Sequence, residues 1–285
     1  MSSPTPEQFK QIQKQAWDTA AEGWKKWWPI FESGAQKLSD RLVELAGIKQ
    51  GDTVVDLGTG TGEPAVTAAK KVRPAGKVLA IDISAKMLSI AKERAKEHGL
   101  ENTVELREGD AESVALQKNA FNAILSRWGL MFLPNLQESL KSVREALVPG
   151  GRIAAAVWTE PEKAPTISTP IGVARKVLGL PPMPANMPPF NLADAKMLER
   201  VFAGAGFKNF RAEKMTLTFT FGSADEYSRF HMEINGPLIA LLADKPREKR
   251  EEVLNAIRDA AAKYAGPDGR IKMDNETMCV VAERG

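Results

Sequence analysis

Cysteine is nearly absent: Cys279 is the only one in 285 residues. That excludes an intramolecular disulfide and a zinc site built from several thiolates. Cys279 lies in an apolar run near the C-terminus and reads as a core thiol, not a nucleophile. Histidine is scarce too, with His98 and His231 the only two. Charge of one sign is also lacking. A net charge of +3 is too mild for a nucleic-acid surface, and no basic stripe or Asn/Asp-Pro-Pro-aromatic motif is present. No apolar run has the length of a membrane span, and the first six residues lack the basic and apolar regions of a secretory leader. The expected location is the cytoplasm. There are no internal repeats and no low-complexity tract. What remains, 43% hydrophobic and 26% charged residues, is ordinary for a globular chain able to bury a sizeable core.

What is present is a glycine turn. Val54-Val55-Asp56-Leu57-Gly58-Thr59-Gly60-Thr61-Gly62-Glu63-Pro64-Ala65 is a short apolar run ending in an acid, then three alternating glycines, then a helix-compatible segment. That pattern marks a strand-to-helix crossover whose backbone passes close to a ligand, with glycine used because no Cβ blocks the approach. Strands are expected at 53–57, 77–81, 103–107, 120–126, 152–158, 210–221 and 276–282. Helices are expected at 7–47, 63–72, 84–98 with Ser84 as N-cap, 135–147 ended by Gly150-Gly151, 191–205 capped by Asn191, and 224–265. A proline-rich stretch at 159–190 has room for one short helix near 171–178. The alternation from 53 to 158 predicts a parallel sheet covered by helices on both faces.

The glycine spacing differs from the dinucleotide fingerprint, whose third glycine comes one place later. Glu63, opening the helix, would repel a pyrophosphate at the helix N-terminus. With Asp56 at the strand end, the loop looks tuned to a ligand carrying positive charge. Asp82 ends the second strand and suits a pair of ribose hydroxyls. Gly109-Asp110-Ala111 follows the third strand, where the Asp110 carboxylate suits the exocyclic amine of adenine.

On these residues the chain resembles a class I S-adenosylmethionine (SAM)-dependent methyltransferase, and among them the ubiquinone/menaquinone-biosynthesis type of small-molecule enzyme. The resemblance covers about residues 10–160. It implies a Rossmann-like α/β fold: a seven-stranded, mostly parallel sheet with its last strand antiparallel. It implies SAM as cofactor, with Asp56 and the loop Gly58, Thr59, Gly60 and Gly62 at the methionine part. Asp82 would grip the ribose with Ile83 and Met87 packed nearby. Gly109, Asp110 and Ala111 would address adenine. Ser126-Arg127-Trp128 matches the segment under the methionine moiety. Trp17 stands where relatives carry tyrosine in a Tyr-Asp-x-x-Ala pattern.

Three regions are expected: an N-terminal helical lid (1–50), a SAM-binding core (51–160), and the rest of the sheet (161–285) with acceptor-binding insertions at about 161–190 and 222–266. In the lid, Trp17, Ala20, Ala21, Trp24 and Trp28 form one helical stripe continued by Phe31, and Pro29 is expected to end or bend the helix. Trp24, Trp28, Trp128 and Phe230 are the candidate acceptor contacts, and His231 and Glu233 the candidates for base or substrate contact. The expected reaction is in-line methyl transfer to a small, lipophilic acceptor, without metal. The alternatives are an NAD(P)-dependent oxidoreductase and a non-catalytic module binding SAM or a lipophile.

Overall fold

The computed structural model describes residues 5–184 and 187–285. Part of the first-six-residue segment read above, Met1 to Pro4, therefore lies outside the described residues, as do Ala185 and Asn186 of the proline-rich stretch. The chain folds as two compact units. Unit 1 takes in the described residues of Met1–Gln36, Glu160–Met187 and Thr216–Glu276, and unit 2 those of Lys37–Thr159, Pro188–Met215 and Thr277–Gly285.

Unit 2 is built from alternating strands and helices: β1 (Thr53–Leu57), α2 (Ala65–Val72), β2 (Lys77–Asp82), α3 (Ala85–Glu97), β3 (Val104–Glu108), β4 (Phe121–Arg127), α4 (Leu136–Ala146), β5 (Leu147–Trp158) and α6 (Ala195–Gly204). The sheet order is β3-β2-β1-β4-β5-β7-β6, where β6 is Phe207–Phe221 and β7 is Ile271–Arg284. Strands β1 to β5 pair in parallel, and β7 runs antiparallel to β5, with Trp158 opposite Thr277. The direction of winding reverses between β1 and β4, the kind of place where open α/β sheets bind ligands. Ile153 to Trp158 of β5 are all buried, as expected for a strand with both faces covered.

Unit 1 contains the first part of α1 (Pro6–Leu45), then α5 (Pro165–Val177), α7 (Ala224–Ile234), α8 (Gly236–Leu242) and α9 (Arg247–Ala262). Here α5 and α7 pack on α9. Gly23 of α1 lies where a Cβ would come 2.2 Å from the Glu233 carbonyl oxygen, so only glycine lets α1 approach α7 this closely.

Several expectations about elements are corrected. Pro29 does not end α1, which continues to Leu45. The turns beyond it bury Phe31, Leu38 and Leu42, which outweighs one missing N–H donor. The buried stripe is also rotated: Trp27 is in the core beside Ala20 and Ala21, while Trp17, Trp24 and Trp28 are half-buried. Gly150-Gly151 does not end α4. The helix stops at Ala146, and the glycines sit inside β5, where the β4 register shifts between Phe121 and Ala123. Asp194 caps α6 in place of Asn191, whose amide donates to the Met131 carbonyl instead. The stretch 224–265 divides into three helices, because Asn235 and Pro246 restart the chain as N-caps.

Candidate functional site

The glycine loop after β1 is held by β2. The N–H groups of Gly58 and Thr59 both donate to the Ile81 carbonyl at 2.9 Å. Gly60 N–H donates to Asp82 Oδ2 at 2.8 Å, while Asp82 Oδ1 accepts from Ser84 N–H at 2.9 Å. Gly58 and Gly60 have φ of 72° and 55°, the left-handed region that glycine tolerates. A Cβ on Gly60 would meet nothing within 4 Å, so the loop presents bare backbone to open space. Gly62 does the opposite: a Cβ there would lie 3.3 Å from Ala91, so it packs the loop against α3.

Asp56 is fully buried beneath the loop, and its Oδ2 accepts from Ala65 N–H at 3.0 Å. Desolvation pushes its pKa up to about 7, against the Thr59 hydroxyl, the Arg127 guanidinium and the Ala65 N–H, which hold it down. Asp56 thus ties the start of α2 to β1 and does not face open space. Glu63 corrects the charge argument made from sequence. It is buried, its Oε2 accepts from the Thr67 hydroxyl at 2.7 Å, and its Oε1 lies 3.7 Å from Arg94. A neighbouring cation offsets its charge, so repulsion of a pyrophosphate no longer discriminates between ligands.

The neighbouring strand ends join the same edge. Gly109 N–H donates to the Asp82 carbonyl at 2.9 Å, which binds the loop after β3 to β2. Asp110 serves its own turn, accepting from Glu112 N–H and from the Ser113 hydroxyl, with Ala111 between them. Ser84 caps α3 by accepting from Met87 N–H, and Met87 is buried while Ile83 is half-buried. The Ser126 hydroxyl donates to the Leu57 carbonyl at 2.8 Å, joining β4 to β1. Arg127 is 8% exposed and donates to the Ser39 hydroxyl at 2.9 Å. Trp128 stacks on Trp158, with ring centroids 4.4 Å apart. All these residues fall in unit 2.

The remaining candidates fall in unit 1. Trp24 packs edge-on to Phe31, and Trp17 and Trp28 are half-buried. Phe230 is fully buried between Trp27, Phe31 and Phe221, so it is core and not an exposed contact. His231 is 1% exposed against Tyr227 and Phe230, and neither ring nitrogen has a hydrogen-bond partner among the described residues. Burial lowers its pKa to about 3, which keeps it neutral. Glu233 is engaged by Lys26 at 2.7 Å and by the Trp27 indole N–H at 2.8 Å. The structure therefore encloses the His231 imidazole and holds the part-exposed Glu233 carboxylate in an ion pair, so neither is the unengaged, solvent-reaching group expected of a base. Sequence reasoning passed over Ser39, Arg94, Trp158 and Thr277, whose partners are far away in the chain.

Residues 48–168 match the family model described as a methyltransferase domain. A ubiquinone/menaquinone biosynthesis C-methyltransferase UbiE from Pseudomonas fluorescens is 29% identical over 136 residues, which are 47% of this chain and 53% of that protein. The chain thus matches about half the length of this curated relative. Among solved structures, a Haemonchus contortus phosphoethanolamine N-methyltransferase 2 aligns with a TM-score of 0.61 at 17% identity, covering 97% of this chain and 60% of that one. The YcgJ protein of Bacillus subtilis aligns with a TM-score of 0.59 at 15% identity, covering 87% and 98%. At such identities these likenesses show the fold alone: a Rossmann-like, seven-stranded sheet. No helix among the described residues is long and apolar enough to cross a membrane.

Proposed function

Taking residues 48–168 as a class I methyltransferase domain, we propose that the protein transfers a methyl group from SAM to a small, lipophilic acceptor, leaving S-adenosylhomocysteine. One observation carries the reading. At the β1/β4 reversal, the glycine loop offers bare backbone at Gly60, which is fastened to the Asp82 carboxylate at the end of the next strand. A nucleoside with a short amino-acid tail fits that arrangement: ribose hydroxyls at Asp82, the tail along Gly58–Gly62, and the base towards Gly109, Asp110 and Ala111. The Gly60 and Ser84 N–H groups hold the two Asp82 oxygens in place, and an ionised carboxylate is the acceptor that ribose hydroxyls call for.

Bound SAM would supply an already activated methyl group on a cationic sulfur. The chain's own residues then hold and orient. Ser126 and Arg127 fix the end of β4 against Leu57 and Ser39, and Asp56 fixes the α2 start. Alignment of this kind is worth roughly 7–11 kcal/mol in well-ordered reactions. The reading assigns no proton abstraction to His231 or Glu233. The acceptor belongs to the small-molecule class and the location is cytoplasmic; the mild net charge of +3 supports an acceptor other than nucleic acid. The C-methyltransferase name of the curated relatives makes a carbon nucleophile one arm of the test.

The test has two steps. Calorimetry with S-adenosylhomocysteine is expected to show saturable binding at micromolar concentrations. Methyl-labelled SAM is then incubated with quinols, phenols, amines and thiols, and label is expected in one class. Absence of binding removes the donor site, and binding without transfer to any class favours the non-catalytic module.

A further inference from the structure

Thr277 lies on β7, outside every motif of the donor site, yet it is fully buried at the edge of that site. Its hydroxyl donates to the Val157 carbonyl at 2.8 Å and accepts the Trp128 indole N–H at 3.1 Å. Both functions of one hydroxyl are used, which fixes the indole's direction. Trp128 itself is strained. Its φ is 60°, a conformation that a bulky side chain adopts only when its surroundings impose it. Three things impose it here: the Thr277 acceptor, the near-parallel stack on Trp158, and a bond from Trp128 N–H to the Ala156 carbonyl at 2.9 Å.

That strained turn delivers Gly129. A Cβ at Gly129 would lie 2.6 Å from the Ser126 hydroxyl and 2.8 Å from the Leu57 carbonyl, and a Cβ at Gly58 would lie 3.3 Å from Gly129 Cα. The turn after β4 and the glycine loop after β1 therefore seat against each other, glycine to glycine. We propose that Thr277 is a positioning residue for the donor loop: its hydroxyl sets the Trp128 indole, the set indole keeps Trp128 left-handed, and that backbone seats Gly129 against Gly58. The proposal rests on the reading of this loop as the SAM site. Without the Thr277 acceptor, the indole N–H loses this bond, and Trp128 relaxes to an ordinary φ. The loop then spends most of its time unseated, and apparent affinity drops in proportion to the competent fraction.

The test uses the full chain and S-adenosylhomocysteine. Thr277→Val is expected to weaken binding about tenfold by calorimetry, as the competent fraction falls to about a tenth. The exciton couplet of the stacked indoles in ultraviolet circular dichroism should shrink with it. Thr277→Ser keeps the hydroxyl and is expected to restore both. Trp128→Phe removes the N–H from the other side and is expected to weaken binding similarly. In that background Thr277→Val should add nothing further, since the bond is already gone. This second route keeps the proposal testable if Thr277→Val fails to fold. Unchanged affinity and couplet in Thr277→Val overturn the proposal. So does a Thr277→Ser variant that behaves like Thr277→Val, or a Thr277→Val loss that persists undiminished in the Trp128→Phe background. If the wild-type protein binds no S-adenosylhomocysteine, the donor-site reading fails and the proposal fails with it, whereas equal binding by wild type and Thr277→Val sinks the proposal alone.

Discussion

His231 makes the stability of unit 1 depend on pH in a direction that is fixed by its burial. The imidazole is 1% exposed, packs against Tyr227 at 4.6 Å and Phe230 at 4.8 Å between ring centroids, and has no hydrogen-bond partner among the described residues. Its folded pKa is about 3 against an ordinary 6.5. Because the folded pKa is the lower one, the unfolded chain binds more protons between these values. Stability is then full above pH 6.5 and is lost as pH falls towards 3. The proton-binding difference amounts to about 2 kcal/mol at about pH 5, and to about 5 kcal/mol once pH is below both values. His231→Leu has similar volume and nothing to protonate. At about pH 7.5 it is expected to match or exceed the wild type, because an unsatisfied buried polar group is removed. Urea unfolding of both proteins at about pH 7.5, 6 and 5, followed by tryptophan fluorescence, gives the difference directly. A wild-type curve that stays parallel to His231→Leu across this range, or a His231 ring that titrates near 6.5 in an NMR experiment on the folded protein, refutes the reasoning.

Four further outcomes are expected. Asp82→Ala should weaken S-adenosylhomocysteine binding about 10- to 100-fold by calorimetry, the size of a charge-assisted hydrogen bond, since it also frees the Gly60 and Ser84 N–H groups. Gly129→Ala should destabilise by about 1–3 kcal/mol in urea and weaken the same binding, because the methyl would meet the Leu57 carbonyl at 2.8 Å. Ser84→Ala removes the acceptor for Met87 N–H at the start of α3 and should lower stability by about 1 kcal/mol, read from the urea midpoint. Cys279, whose buried thiol has its pKa pushed up to about 12, should resist alkylation in the folded protein and react only on unfolding, followed by mass spectrometry.

Much of the glycine-loop edge of the sheet was legible because its signals are local. Asp56-Leu57-Gly58-Thr59-Gly60-Thr61-Gly62 encodes a strand end and a tight turn within a few residues, and Ser84 three places before Met87 encodes a cap. The charge of Glu63 was misread, because Arg94, its neutralising partner, stands a helix away in sequence. The tryptophan stripe was drawn one position off, since an ideal 100° wheel does not say which of Trp24, Trp27 and Trp28 the neighbouring Phe230 will cover. His231 and Glu233 looked like chemistry because their residue types are reactive. Their roles depended on enclosure and pairing, which composition does not carry.

The sequence by itself determined the alternation of strands and helices, the glycine turn, and the acids at three successive strand ends, because backbone preference and side-chain period act between near neighbours. Only the tertiary structure decided which of those groups remain open to a ligand. It buried Asp56, neutralised Glu63 and left Gly60 bare. It also brought Thr277 to Trp128, 149 residues away in the chain, through the antiparallel pairing of β5 with β7. A strained tryptophan and the hydroxyl that holds it share no local pattern, because strand pairing, not spacing along the chain, makes them neighbours.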